Sequence, residues 1–185
     1  MMMNYSITKY NPKYRDDNGC YNKEEWTSIS DIGKEYDGKV FTLGEYIDVE
    51  NVYIHSILQI LEYFKLDSLF VMELEKYSKV LNISETNKKN SLYTPDIFEV
   101  FNKVEEGSEL DNKMIENIIK LILRENLWCG LYSRKIHFII KFGYDYYMNV
   151  ICPILPLELI KSIENNGIFI LSTSTAPSPS HDKLG

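Results

Sequence analysis

Leu127-Trp128-Cys129-Gly130-Leu131-Tyr132-Ser133 opens a stretch, reaching Val150, in which the hydrophobic period changes from helical to two. Upstream, Met114, Ile115, Ile118, Ile119, Ile122 and Leu123 recur at three and four residues, as one face of a helix does. Downstream, Ile136, Phe138, Ile140 and Phe142 alternate with Lys135, His137, Ile139 and Lys141. Alternation puts successive side chains on opposite faces of a strand. Gly143 breaks the run, and Tyr146, Met148 and Val150 resume it. Three strands joined by short breaks predict an antiparallel meander.

Working outward, Asp111 caps the branched helix, and Thr94-Pro95-Asp96 starts a shorter one with proline at the first helical position. Asn82 to Ser91 reads as an exposed loop, and Ser68 to Leu74 as a strand. Thr42-Leu43-Gly44-Glu45 is a capping box. The helix it opens sets Tyr46, Tyr53, Ile57, Leu61 and Phe64 on one face, with Asp48, Asn51, His55, Gln59 and Glu62 on the other. Lys13 to Gly38 is polar but keeps Tyr14, Tyr21, Trp26 and Tyr36, which predicts a packed loop, and Ser6 to Tyr10 reads as a first strand. Pro156 to Asn165 reads as a last helix, stopped by Asn166-Gly167, and Ile168 to Leu171 as a last strand. The expected fold is α+β: an antiparallel or mixed sheet of five to six strands, with helices mainly on one face. Residues 1–171 are expected to form one domain, and the Ser/Thr/Pro-rich residues 172–185 a disordered tail. One core is expected to join Tyr46, Ile57, Leu61 and Phe64 to Ile118, Ile122, Phe138 and Ile140.

The 185 residues carry a net charge of −7. A duplex nucleic-acid binder needs a surplus of Lys and Arg, and so does a protein held on an anionic membrane. Neither partner is expected. The most apolar stretch, Ile118 to Leu127, contains Lys120, Arg124 and Glu125, so no membrane span is expected. The acids concentrate in the helical segments: residues 42–76 carry a balance of −5 and residues 96–126 one of −4. Cys20, Cys129 and Cys152 are odd in number and widely spaced, and the start of the chain has no secretory pattern. A reducing cytoplasm is the expected compartment.

Reactive constellations are sparse. His55, His137 and His181 lie near no cysteine or acid at metal-ligand spacing, and no cofactor is expected. Cys129 and His137 would face each other if the first turn of the meander were tight, which leaves a Cys/His enzyme as one alternative. The pairs Glu24-Glu25 and Glu105-Glu106 read as solvated surface, and there is no P-loop or G-x-S-x-G. The densest cluster is Phe142-Gly143-Tyr144-Asp145-Tyr146-Tyr147-Met148. A continuous strand would put Tyr144, Tyr146 and Met148 on one face, and Asp145, Tyr147 and Asn149 on the other. Such a face is either a tyrosine ladder covering the sheet or an interaction surface.

Four stretches carry a family resemblance: Tyr5 to Pro12, Glu25 to Gly33, Leu123 to Cys129 and Phe142 to Met148. Over roughly residues 4–170 the chain resembles small cytosolic proteins of Gram-positive bacteria associated with immunity to polymorphic toxins. The Ser/Thr/Pro-rich end departs from that family, in which an acidic or aromatic terminus is expected. The resemblance implies a non-catalytic inhibitor that binds a cognate toxin domain, and acidity suits a basic partner such as a nuclease. Candidate contacts are Glu45, Asp48 and Glu62 on the first helix, with Tyr144, Asp145 and Tyr147. A second alternative is a mobile-element inhibitor of a host defence enzyme.

Overall fold

A computed structural model of the chain describes residues 1–81 and 92–174. In chain order, β1 (Met2–Thr8) precedes a small hairpin of β2 (Glu35–Tyr36) and β3 (Lys39–Val40). Helix α1 (Leu43–Tyr63) leads into β4 (Ser68–Lys76), and α2 (Pro95–Lys103) into β5 (Glu109–Asp111). Helix α3 (Asn112–Leu123) feeds the meander β6 (Leu127–Tyr132), β7 (Ile139–Phe142) and β8 (Tyr147–Pro153). Helix α4 (Leu157–Glu164) and β9 (Phe169–Ser174) complete the described chain.

The main sheet has seven strands in the order β5-β4-β6-β7-β8-β1-β9, and every neighbouring pair is antiparallel. The fold is α+β, with more strands than the five to six expected. The surplus includes β5, whose Glu-Leu-Asp is too short to display a period; its last residue, Asp111, also caps α3 by accepting from the Met114 N–H. The expected exposed loop from Asn82 to Ser91 lies outside the described residues.

Other boundaries move for local reasons. Ile136 and His137 belong to the β6–β7 turn, closed by the Ser133 N–H donating to the Phe138 carbonyl, so β7 starts at Ile139. Strand β4 continues to Lys76 through a bulge at Glu73, which takes a positive φ of 55°. The Glu106 carboxylate accepts from the N–H groups of Glu73 and Leu74 there, so this acid is structural. Strand β9 runs three residues past Leu171 into the segment read as a tail, because β1 offers backbone partners as far as Met3, opposite Ser174.

The sheet buries alternate residues. Met148, Val150 and Cys152 on β8 are buried, while Tyr147, Asn149 and Ile151 are half-exposed. The buried face meets α1 and α3 in one core that contains Tyr46, Ile57, Leu61, Ile118, Ile122, Phe138 and Ile140, with Phe64 packed at its edge, as expected. Ile118 is fully buried. Ile118→Ala should lower unfolding stability by about 2–5 kcal/mol, from lost transfer energy plus a cavity. Urea denaturation measures this, and a loss under about half a kcal/mol would contradict the burial.

Candidate functional site

The β7–β8 connection departs most from its sequence reading, and it organises the site. Phe142 and Met148 are the last paired residues, and the loop between them closes with the Tyr147 N–H donating to the Tyr144 carbonyl. Its central residues, Asp145 and Tyr146, both take positive φ, 52° and 60°. Two left-handed central residues mark the primed turns that match hairpin twist, where Asn-Gly is the favoured pair. A tyrosine there is uncommon and costs about 1–3 kcal/mol of backbone strain. The expected strand through Tyr144 is therefore replaced by a turn. Tyr144 stands 93% exposed, and Tyr146 folds inward to 7%. They do not share a face.

Tyr146 is held from three sides. Its hydroxyl donates to the Leu123 carbonyl at 3.0 Å, and its own carbonyl accepts from the Tyr53 hydroxyl. Its ring meets Trp26 edge-on at 5.0 Å, and Trp26 stacks on Phe41 at 4.3 Å. Tyr53 also accepts from the Lys9 N–H at 2.8 Å. Tyr147, an expected contact, is half-buried, takes a hydrogen bond from Arg15 and packs on Tyr10. The Trp128 indole donates to the Phe142 carbonyl at 2.8 Å and fixes the other base of the turn. The four stretches behind the family resemblance thus meet at this end of the sheet.

Beside the turn lies a cleft of about 420 Å³. Trp128, Tyr77 and Tyr144 line it, together with the carboxylate residues Glu75, Glu125 and Asp145, and among the described residues no Lys, Arg or His does. All three acids are exposed, and none has an ion-pair partner among the described residues. Burial and then the nearby Glu75 raise the Tyr77 phenol above its ordinary value.

The other expected contacts do not converge here. Glu45 closes the capping box: its carboxylate accepts from the Thr42 N–H at 2.8 Å and hydroxyl at 2.9 Å. Asp48 is exposed on the same helix. Glu62 lies seventeen residues beyond Glu45, about 25 Å along the axis, beside a shallow groove with His55 and Asn166. Asp145 is exposed at the cleft.

The Cys/His pairing does not form. The β6–β7 register joins Leu131 to Ile140 and Tyr132 to Ile139, which leaves His137 exposed in the turn and Cys129 fully buried further down β6. Burial pushes the Cys129 thiol up to about 12, the opposite of an activated nucleophile. Among the described residues no group of three or more His, Cys, Asp or Glu is placed to hold a metal, and no helix is long and apolar enough to cross a membrane.

Sequence reasoning missed two buried charged sites. Glu50 and Arg124, counted above only in the charge balances of their segments, form a pair at 2.6 Å with side chains 2% and 3% exposed. Lys9 is enclosed too: its ammonium lies 4.1 Å from the ring centres of both Tyr10 and Trp26 and 3.4 Å from Glu25. No local pattern marks either site, since both are completed by residues distant in sequence. No protein-family model matches the chain, and no curated protein or solved structure is similar to it.

Tyr53→Phe removes the hydroxyl that joins Lys9 to Tyr146 and leaves a buried N–H and a carbonyl unpaired. It should cost about 1–3 kcal/mol in urea unfolding and speed amide exchange at residues 144–147. A variant as stable and as protected as the parent would show that the turn is held elsewhere.

Burial pushes Lys9 down to about 8, against the upward pull of Glu25. An unfolded lysine titrates near 10.4, so between about pH 8 and 10.4 the unfolded chain binds more protons at this site, and stability from Lys9 grows with pH. The buried thiols of Cys129 and Cys152, both pushed up to about 12, act the other way above about pH 8.5. Lys9→Met should therefore lose stability more steeply than the parent across that window, by up to about 1.4 kcal/mol per pH unit. Parallel denaturation curves from pH 8 to 10 test this, and equal slopes would contradict it.

Proposed function

We propose that this chain is an immunity-type inhibitor that binds and neutralises a cognate toxin domain in the bacterial cytoplasm. The observation that carries the reading is Tyr144, 93% exposed at the first position of a turn held in place through Tyr53, Tyr146 and Trp128. A large, amphipathic side chain on a fixed backbone loses little entropy on docking, which is what an interface anchor needs. Three carboxylates beside it that have no ion-pair partner among the described residues, on a chain of net charge −7, suit a basic partner, and a nuclease is the toxin class that fits. The protein contacts its partner, and neither nucleic acid nor membrane directly.

The contact surface centres on the turn, with Tyr144 and Asp145 as first contacts. Asp48 contributes charge at longer range, Tyr147 supports the turn from beneath, and Glu45 serves the helix cap. Glu62 lines a separate groove with His55 and Asn166.

The product of the neighbouring gene should arrest growth when expressed alone, and this protein should restore growth when co-expressed. With the purified pair, association should slow about tenfold or more between about 0.05 and 0.5 M salt, and dissociation should change less. Tyr144→Ala should speed dissociation by roughly thirtyfold, the size of a hot-spot loss, and leave the unfolding midpoint unchanged. A harmless neighbouring product, or an association rate indifferent to salt, would remove this reading.

A further inference from the structure

The cleft beside the turn has a composition that points to its occupant. Its walls include the aromatic side chains of Trp128, Tyr77 and Tyr144, and its acids are Glu75, Glu125 and Asp145. At about 420 Å³ it falls within the range of roughly 300–1,000 Å³ usual for ligand sites. Cations elsewhere on the sheet are engaged: Lys141 binds Glu73 at 3.1 Å, Lys135 binds Asp67, and the Lys76 ammonium donates to the Phe101 carbonyl at 2.6 Å. Lys76 adjoins both Glu75 and Tyr77 in sequence, yet its ammonium is spent on the Phe101 carbonyl. The acids at the cleft thus remain without a cation among the described residues.

We propose that this cleft receives an arginine side chain of the protein partner, the guanidinium stacking on the aromatic walls and pairing with Glu75 and Glu125. The assignment rests on the inhibitor reading above and names the group that reading leaves open. Charge complementarity selects a cation, and the aromatic walls select among cations. A guanidinium is planar, weakly hydrated and able to stack and hydrogen-bond at once, whereas an ammonium is a compact, strongly hydrated point charge. The rigid base formed by Trp128 and Tyr146 holds the cleft ready, so little ordering cost falls on binding. Tyr144, the exposed anchor, stands at the rim, so one partner residue packed on it would place a neighbouring arginine at the opening.

Arginine amide is the probe, with citrulline amide as its neutral isostere and butylammonium as the alternative cation. The readout is the Trp128 indole N–H signal, together with the backbone amides of residues 143–147, in the full chain. Arginine amide should shift these signals saturably, citrulline amide should not, and butylammonium should bind at least fivefold more weakly. Glu75→Gln/Glu125→Gln should weaken arginine amide at least fivefold; both side chains are exposed, so the double variant should keep the parent's unfolding midpoint. Equal shifts with citrulline amide, equal affinity for butylammonium, or an unchanged affinity in the double variant would overturn the assignment. The two readings separate with the partner in hand. A toxin complex indifferent to the double variant would sink the arginine site and leave the inhibitor standing. Arginine amide in the cleft of a protein that neutralises no toxin would sink the inhibitor.

Discussion

The ion pair between Glu50 and Arg124 sets the frame on which this end of the molecule is built. Arg124 Nε donates to one Glu50 oxygen at 2.8 Å and Nη2 to the other at 2.6 Å, so the carboxylate is held bidentately. Nη1 donates to the Leu92 carbonyl, and Tyr46 donates to Glu50 at 3.1 Å. Two charges taken out of water repay their desolvation only when the remaining donors and acceptors are also satisfied, and this network satisfies them. Removing either partner would strand the other, so α1 and the end of α3 have essentially one relative placement. That specificity matters because α1 supplies Tyr46 and Tyr53 on one side of the turn, and the end of α3 supplies the Leu123 carbonyl on the other.

The strained turn follows from that placement. Asp145 and Tyr146 hold positive φ without glycine, which local preference alone opposes. The cost is offset because Tyr146 enters a slot whose walls are already set: Leu123 accepts its hydroxyl proton, Tyr53 donates to its carbonyl, and Trp26 covers its ring. The long loop after β1 is ordered by the same contacts. Trp26 stacks on Phe41, and Asp31 accepts from the N–H groups of Thr27 and Ser28. The strain turns Tyr146 inward, and the tight loop that results leaves its near neighbour Tyr144 in solvent.

Much of this architecture was legible in the chain. The period change at Leu127, the capping box at Thr42 and the branched face of α3 are local patterns, and each matches an observed element. The core list held because helical and strand periods both report which side faces inward. What escaped was non-local. Glu50 and Arg124 carry no local mark of burial, and only the fold brings them together across 74 residues. The turn at Asp145-Tyr146 was read as strand because it lacks glycine or asparagine, the usual marker of left-handed backbone. Charge counting selected Glu45, whose carboxylate is occupied by Thr42, and did not single out Glu75 and Glu125, which line the cleft from a strand and from the residue after a helix cap.

The distribution of paired and unpaired charge separates two kinds of acidity. Asp67, Glu73, Asp96 and Glu99 each have a lysine within salt-bridge distance, so their charge is largely cancelled locally. Exposed pairs of this kind contribute little to stability, typically below about 1 kcal/mol, but they flatten the field around most of the surface. The uncancelled acids include the three at the cleft, on a protein whose net charge is −7. Unpaired acids gathered beside an exposed tyrosine can orient an approaching cation as well as attract it. The buried pair at Glu50 and Arg124 and the open acids at the cleft therefore divide the electrostatic work: the first fixes the scaffold, and the second is the charge that the proposed partner arginine would neutralise.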